Sequence, residues 1–495
     1  MDNSLGWLLT GVYVFILLLI GGYVAANARK TREDYFLARR GLGTVAVFMA
    51  LFASNITAFT IIGHAGHAYE LGFGAYGYVI GWSIFITPFT YYLIGYRSWL
   101  LGKRFGYSTQ PQVFGGIFNS GTVSMVFLVL LLYYTLPYMV LSVRGGALTL
   151  HTITGEAVPY ELAAAFIVGI SLVYTIPAGL RGTVWTDVFQ GFLFLAVVVV
   201  ILFALGGELG GFSSITQRIM EEDPGMLERG DSFTPVEWFS YSFINSLAVI
   251  VFPQMFIRIL ATRSSGVMKK ATLVYPLALA LVFGISTLLG VWGSQAVPGL
   301  GTEEASYIVP RLIFEHLTPL WSALGLVVIL SVIKSSVDSQ LLSVSHMVTD
   351  DFLSRYIKIS SERAVNWGRV FLLFFSAVAY YVAILEPAAI MTVAEYAFSG
   401  FSVMLPVMIA ALYWPGSTAK GVCTALIASA VLLHLWVLDI LPQWTLPWGL
   451  MPVVPSFFFS AIVVVVASML LPDSSTESRD KAFGLFREVF CRENG

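Results

Sequence analysis

Lys334 lies in the run Leu330-Ser331-Val332-Ile333-Lys334-Ser335-Ser336-Val337-Asp338-Ser339-Gln340, which places two opposite charges and four hydroxyls inside an apolar stretch. A buried ammonium is costly unless something compensates it, and ionisable groups at bilayer depth mark ion or substrate paths. This segment is where the work of the protein is expected to be done. Lys334 and Asp338 stand one helical turn apart on the same face, so they can pair directly. Other candidates are weaker. His64 and His67 have no third ligand nearby to make a metal site, which favours an outer-gate or solvated position. Glu386 and Glu395 fall near the external ends of their spans, where gating and solvation serve equally well. No phosphate loop, nucleophile elbow or His-Glu-x-x-His pattern stands out. Cys423 and Cys491 are far apart in different surroundings, which suggests neither a disulfide framework nor a thiolate metal site.

The elements that position this run are membrane helices. Hydrophobic residues make up 57% of the chain and charged ones 11%, too apolar for a soluble multidomain protein. A net charge of −2 offers no basic surface for nucleic acid. Stretches of about 20 apolar residues give an all-α chain of thirteen spans, at 5–25, 44–66, 75–98, 123–148, 160–180, 184–206, 236–258, 272–296, 319–345, 366–385, 389–413, 418–441 and 449–471. The first is too long, and has no basic region before it, to be a cleaved signal peptide. Alternating the loops between two sides places 22 of the 27 Lys and Arg, Arg29, Lys30 and Arg258 among them, on one side. Three (Arg218, Arg229, Arg311) fall on the other and two (Arg144, Lys334) inside helices. By the positive-inside rule the amino terminus is outside and the carboxyl terminus cytoplasmic. The acidic loops 208–235 and 297–318 read as solvated external surface, and 472–495 as a short cytoplasmic tail, amphipathic or disordered.

Two spans carry the marks of a break. Phe52-Ala53-Ser54-Asn55-Ile56-Thr57-Ala58-Phe59-Thr60 supplies side chains able to re-satisfy backbone groups freed by unwinding, with Gly63 and Gly66 after them. Phe239-Ser240-Tyr241-Ser242-Phe243-Ile244-Asn245-Ser246 leads to Pro253, which cannot donate to the helix ladder. Any one such hydroxyl is more simply glue between helices. Two interrupted helices five spans apart are the pattern of a transporter built from inverted repeats, with its site where the breaks meet. A channel would need a continuous pore instead.

Four phrases, in order along the chain, resemble the sodium:solute symporter family, relatives of the proline, pantothenate, sialic acid and sugar symporters. They are Glu33-Asp34-Tyr35-Phe36-Leu37-Ala38-Arg39-Arg40-Gly41-Leu42-Gly43, Ala53-Ser54-Asn55-Ile56-Thr57, Gly179-Leu180-Arg181-Gly182-Thr183-Val184-Trp185-Thr186-Asp187-Val188-Phe189-Gln190, and Ser335-Ser336 with Gln340-Leu341-Leu342 and Asp350-Asp351. The resemblance implies a single transporter domain with the five-plus-five inverted repeat of the leucine-transporter type: repeats at 44–206 and 236–413, an extra amino-terminal helix at 5–25 and two further helices within 418–471. It implies cation-coupled import of a small organic solute by alternating access, and no enzymatic activity. The implied sodium site matches Ala53, Ile56, Val332, Ser335 and Ser336, and a second cation site, found in some members, matches Asp187, Ser336, Asp338 and Ser339. Asp at 338 departs from the family's hydroxyl there.

Lys334 is the larger departure, since the matching position is uncharged. Three readings compete: it pairs with Asp338 and locks two helices, it takes the place of sodium and carries a coupling proton instead, or it faces the cavity and binds an anionic substrate. The implied pocket is Asn55, Thr57, Thr60, Tyr138, Asn245 and Val249. Thr57 and Thr60 match hydroxyls that face a carboxylate-bearing ligand in the sialic acid relative. Asn55, Asn245 and Val249 replace the Asp and aromatic groups of the proline symporter's pocket, which argues against an amine-bearing substrate. Arg144 and Lys334 tilt the expectation towards an organic anion, although Arg144 can equally snorkel to the outer surface. A nutrient sensor is the alternative class, and the residues after the last span are too few for a signalling domain, so it would need a separate partner. The substrate, stoichiometry and oligomeric partner stay open at this level.

Overall fold

The computed structural model describes residues 4–28, 31–80, 83–228, 234–385, 390–473 and 475–493. Arg29, Lys30, Arg229 and Glu386 lie outside them. Among the described residues, nine helices are long and apolar enough to cross a membrane, and eleven if each of two bent pairs is one span. The elements that matter here are α1 (Ser4–Asn27), α2 (Thr44–Asn55), α3 (His64–Leu71), α4 (Gly121–Ile153), α5 (Tyr160–Glu208), α6 (Pro235–Ala248), α7 (Pro253–Leu260), α8 (Ser265–Ala296) and α9 (Pro319–Met347). They are followed by α10 (Ser361–Leu385), α11 (Ile390–Ser402), α12 (Leu405–Tyr413), α13 (Ala419–Val437), α14 (Val453–Leu470) and α15 (Glu477–Glu493). Of the stretch expected at 75–98, Gly74–Ile80 is helical, and from Ser83 a helix runs through a π-helical segment at Tyr91–Tyr96 to Phe105.

Helix α9 is buried nearly all the way round from Ser322 to Met347, as a helix must be when it runs through the centre of a bundle. Its polar run therefore faces protein. The rim helices expose apolar side chains instead: Leu8, Phe15 and Leu19 on α1, Phe374 and Tyr381 on α10, Ile462 and Met469 on α14. Such continuous apolar faces suit lipid.

Helix α5 has 49 residues, and a straight helix of that length would run ~74 Å, more than twice the hydrocarbon core. It folds back at Gly179, where φ is 59° and ψ is −155°. The contacts require the reversal. Tyr174 donates to Asp338 while Asp187 accepts from Ser335. A straight helix would hold positions 174 and 187 ~20 Å apart, yet 335 and 338 lie within one turn of α9. A Cβ at Gly179 would lie 2.5 Å from the Tyr35 carbonyl, and the backbone region is one that only glycine occupies readily. Gly179→Ala is therefore expected to cost at least ~1–3 kcal/mol, read as a lower melting temperature in detergent; an unchanged melt would show that the reversal tolerates a side chain.

Two expectations about the surface are corrected. The 208–235 loop contains an amphipathic helix, Phe212–Glu222, that packs Phe212 against Trp292 with ring centroids 4.9 Å apart. The 297–318 loop contains Ile308–His316, whose Ile308, Val309, Leu312 and Ile313 are buried. Charge counts place a loop outside the bilayer but do not register the apolar period of a short capping helix. The tail forms α15, with Phe483 and Phe486 buried and Arg97 stacked 4.6 Å from the Phe486 ring.

Candidate cation and solute site

Both suspected breaks are present. α2 and the helix that follows it meet at 59°, and α6 with its extension meets α7 at 46°. At the first break Ile56 is extended, with φ −71° and ψ 118°. The Thr57 N–H, which a continuous helix would direct to the Ala53 carbonyl, bonds Thr60 Oγ1 at 3.4 Å. The Thr60 N–H, which would reach the Ile56 carbonyl, bonds Thr57 O at 3.0 Å. Two carbonyls are thereby released from the helix ladder. At the second break Val249–Val251 tightens into a short 3-10 turn, Phe252 extends, and Pro253 starts α7 at a position where its missing N–H costs nothing.

α9 packs its polar run against the first break. Ser336 Oγ lies 2.6 Å from Ile56 O, 3.3 Å from Val332 O and 3.4 Å from Ser54 O. Ser335, one position back and so turned about 100° around the helix, donates to Asp187 Oδ1 at 2.5 Å. Of the five residues expected to hold sodium, Ile56, Val332 and Ser336 converge directly and Ala53 supplies the other released carbonyl. Ser335 faces the neighbouring carboxylate.

Lys334 faces a third direction. Its ammonium lies 3.1 Å from Tyr174 Oη, 3.3 Å from Ser171 Oγ and 3.3 Å from Asp338 Oδ1. It also sits 4.1 Å from the centroid of the Tyr174 ring. Tyr174 donates to Asp338 in turn. The side chains of Lys334 and Asp338 are 2% and 0% exposed, so the pair is wholly enclosed by protein. Its direct partners come from α5 and α9, which is the arrangement of the pairing reading.

Arg258 is the main residue that the sequence reading misplaced. Grouped there with the loop cations, it is fully buried on α7 and pairs with Asp187 at 2.7 Å. The same guanidinium donates to Ser339 Oγ at 2.5 Å, and Ser54 Oγ bridges Ser339 at 3.0 Å and Asp187 at 3.4 Å. The bend at Pro253 turns into the core a side chain that sequence position alone puts at the end of a span. The expected second cation site is corrected accordingly: Asp187 and Ser339 are bound by Arg258, and Asp338 by Lys334. The one available signal was the lone Arg258 after Pro253, within the apolar run Pro253-Gln254-Met255-Phe256-Ile257-Arg258-Ile259-Leu260.

Aromatic side chains join the two breaks. Phe398 of α11 packs against Phe59 at 5.5 Å, Phe252 at 5.0 Å and Tyr138 at 5.1 Å between ring centroids, joining both breaks and α4. Asn55 is half-buried, while Thr57, Thr60, Tyr138, Asn245 and Val249 are buried. Thr57 Oγ1 accepts from Phe59 N at 3.1 Å, so this hydroxyl also caps the broken helix. Asn245 Nδ2 donates to the carbonyls of Tyr78 and Tyr241, each at 3.3 Å. Arg144 stands apart, half-buried and engaged with the Tyr160 hydroxyl. Both cations that pointed to an organic anion are thus held elsewhere.

The two ends of the bundle hold polar clusters. At one, Arg181 pairs with Asp34 at 2.7 Å and Arg32 with Asp350 at 2.8 Å, while His346 and Ser108 also reach Asp350, at 2.9 and 3.2 Å. Asp34, Arg181 and Asp350 come from three of the four sequence phrases, which meet here at one joint between helices. At the other, His64 is buried and bonds Thr287 at 3.0 Å, contrary to a solvated position, and Tyr241 donates to Glu395.

The sodium:solute symporter family model matches residues 35–429. The sodium/proline symporter of Haemophilus influenzae is 26% identical over 484 residues, covering 93% of each chain. The sodium/pantothenate symporter of Escherichia coli is 27% identical over 493 residues, covering 94% of this chain and 98% of the relative. Among solved structures, a Na+-coupled sialic acid symporter in a substrate-bound outward-open state superposes with a TM-score of 0.78 at 19% identity, over 95% of this chain and 99% of that one.

Proposed function

The chain belongs to the sodium:solute symporter family, and from that premise we propose that it imports a small organic solute, driven by sodium bound where the first broken helix meets α9. It is a multi-pass membrane protein and a secondary active transporter. The observation that carries the site is the Ser336 hydroxyl on the released Ile56 carbonyl at 2.6 Å. Ala53, Ile56, Val332, Ser335 and Ser336 are the proposed sodium ligands, all uncharged oxygens, a set that suits a monovalent ion held weakly enough to leave. The solute occupies the space between the breaks, recognised by Asn55, Thr57, Thr60, Asn245 and Tyr138 with Val249 as an apolar wall. Recognition there is by amide, hydroxyl and aromatic groups, since Lys334 and Arg144 are engaged elsewhere.

The full architecture in this reading is thirteen crossings, with inverted repeats at 44–206 and 236–413 and the carboxyl terminus cytoplasmic. Its support is the reversal of α5 at Gly179 and the paired breaks. Alternating access then means rocking of the broken helices against α4 and α9 about a fixed site.

The test is thermal stability of the purified protein in sodium against choline at constant ionic strength. A ligand of the folded state present at ten to a hundred times its Kd adds ~1.4–2.7 kcal/mol, so sodium is expected to raise the melting temperature by a few degrees. No sodium effect, together with a pH-dependent shift that Lys334→Ala removes, would overturn the sodium reading in favour of coupling through the lysine.

A further inference from the structure

At the end of the bundle where α15 packs, the starts of α4 and α13 and the segment joining α14 to α15 line a cavity of about 740 Å³. Thr122, Lys420, Asp473, Ser478 and Arg479 are among the residues that line it. Arg479 is buried, donates to the Ser417 carbonyl and pairs with Asp473 at 3.5 Å, while its Nε has no hydrogen-bond partner among the described residues. The Asp473 carboxylate is further engaged, accepting the Ala419 N–H at 3.0 and 2.9 Å. Lys420 is exposed, and Arg355 reaches the wall from outside, donating to the Gly121 carbonyl at 3.2 Å. Three cations thus stand around one carboxylate that is already bonded. The first N–H groups of α4, at Gly121 and Thr122, have no partner within their helix and add its positive end. That combination suits a phosphate.

The cavity lies at the foot of two apolar stripes. On α4, Val129 and Tyr133 follow Thr122 at helical spacing and are exposed; on α13, Ile427 and Val431 follow Thr424 in the same way. The two helices run side by side, joined by Tyr133 Oη and His434 Nε2 at 2.8 Å. Exposed apolar faces on membrane helices meet lipid. A free phosphate would leave those stripes unused, whereas a phospholipid fills cavity and stripes together.

We propose that this cavity binds the phosphate headgroup of an anionic phospholipid whose acyl chains lie along α4 and α13. Basic pockets between membrane helices recognise anionic headgroups in this way. The inference goes beyond the transport reading and rests only on the chain's being a membrane protein.

Melting of the purified full-length protein in detergent micelles tests it, with phosphatidylglycerol, phosphatidylcholine or inorganic phosphate added at constant ionic strength. Phosphatidylglycerol is expected to raise the melting temperature by a few degrees, and the other two to leave it unchanged. Lys420→Glu is expected to abolish that rise, each protein being compared with itself. A carboxylate in the first turn of α13 favours the helix, so the variant should fold. Lys481→Glu, an exposed change on α15 outside the cavity lining, is expected to keep the rise. An equal rise with inorganic phosphate would reassign the cavity to a free anion and overturn the lipid. An equal rise with phosphatidylcholine, no rise at all, or a rise that Lys420→Glu retains would overturn the site. Sodium stabilisation is read separately in the same assay, so either effect without the other identifies which reading fails.

Discussion

Ser336→Ala is expected to weaken sodium activation of transport by about 10–150-fold, the equivalent of ~1.5–3 kcal/mol for one oxygen contact to a charged group. The Ser336 hydroxyl touches the broken helix directly, 2.6 Å from the Ile56 carbonyl, and its loss removes both a ligand and a link between the two elements. Ser335→Ala should behave differently. Its hydroxyl is bonded to Asp187, so its removal loosens the Asp187–Arg258 pair as well as the proposed site, and stability should fall along with the sodium response. The double variant should lose sodium stimulation altogether. Transport assayed in vesicles over a sodium titration separates these cases, and a double variant whose sodium dependence matches the wild type would sink the assignment.

The second large effect concerns the Lys334–Asp338 pair. Breaking a buried ion pair by removing one partner costs ~3–5 kcal/mol, because the charge left behind has neither water nor a counter-charge. Lys334→Met and Asp338→Asn should each lower stability on that scale. Together they should cost less than the larger single loss, because no charge is left unpaired and Tyr174, which donates to Asp338, can donate to a neutral amide there. Melting temperatures of the four proteins close the cycle. Strictly additive losses would show that the two charges do not depend on each other, whatever their separation.

Much of the fold is legible in the chain because lipid imposes a simple rule: every crossing must be a long apolar helix with its backbone bonded internally. That rule places several spans to within a few residues, as with 319–345 against Pro319–Met347. It also exposes the breaks, since Ser54, Asn55, Thr57 and Thr60, like Pro253, are the residues a helix needs where it is interrupted. The short helices Phe212–Glu222 and Ile308–His316 were less legible because they are too short for the membrane rule and too charged to be read as core.

The sequence by itself determined that α9 carries its polar run through the centre of a membrane bundle, that two helices are broken, and that Lys334 and Asp338 share a face. Those properties follow from local composition and helical period. Only the tertiary structure decided which way each group turns. Successive positions 334, 335 and 336 point 100° apart, so Lys334 meets Ser171 and Tyr174, Ser335 meets Asp187, and Ser336 meets Ile56. It also decided the fate of Arg258, which a 46° bend at Pro253 carries from an apparent membrane edge to the carboxylate of Asp187. Period and composition are properties of one helix; the partner of a buried charge is set by the angle at which two helices cross, and no local pattern encodes that angle.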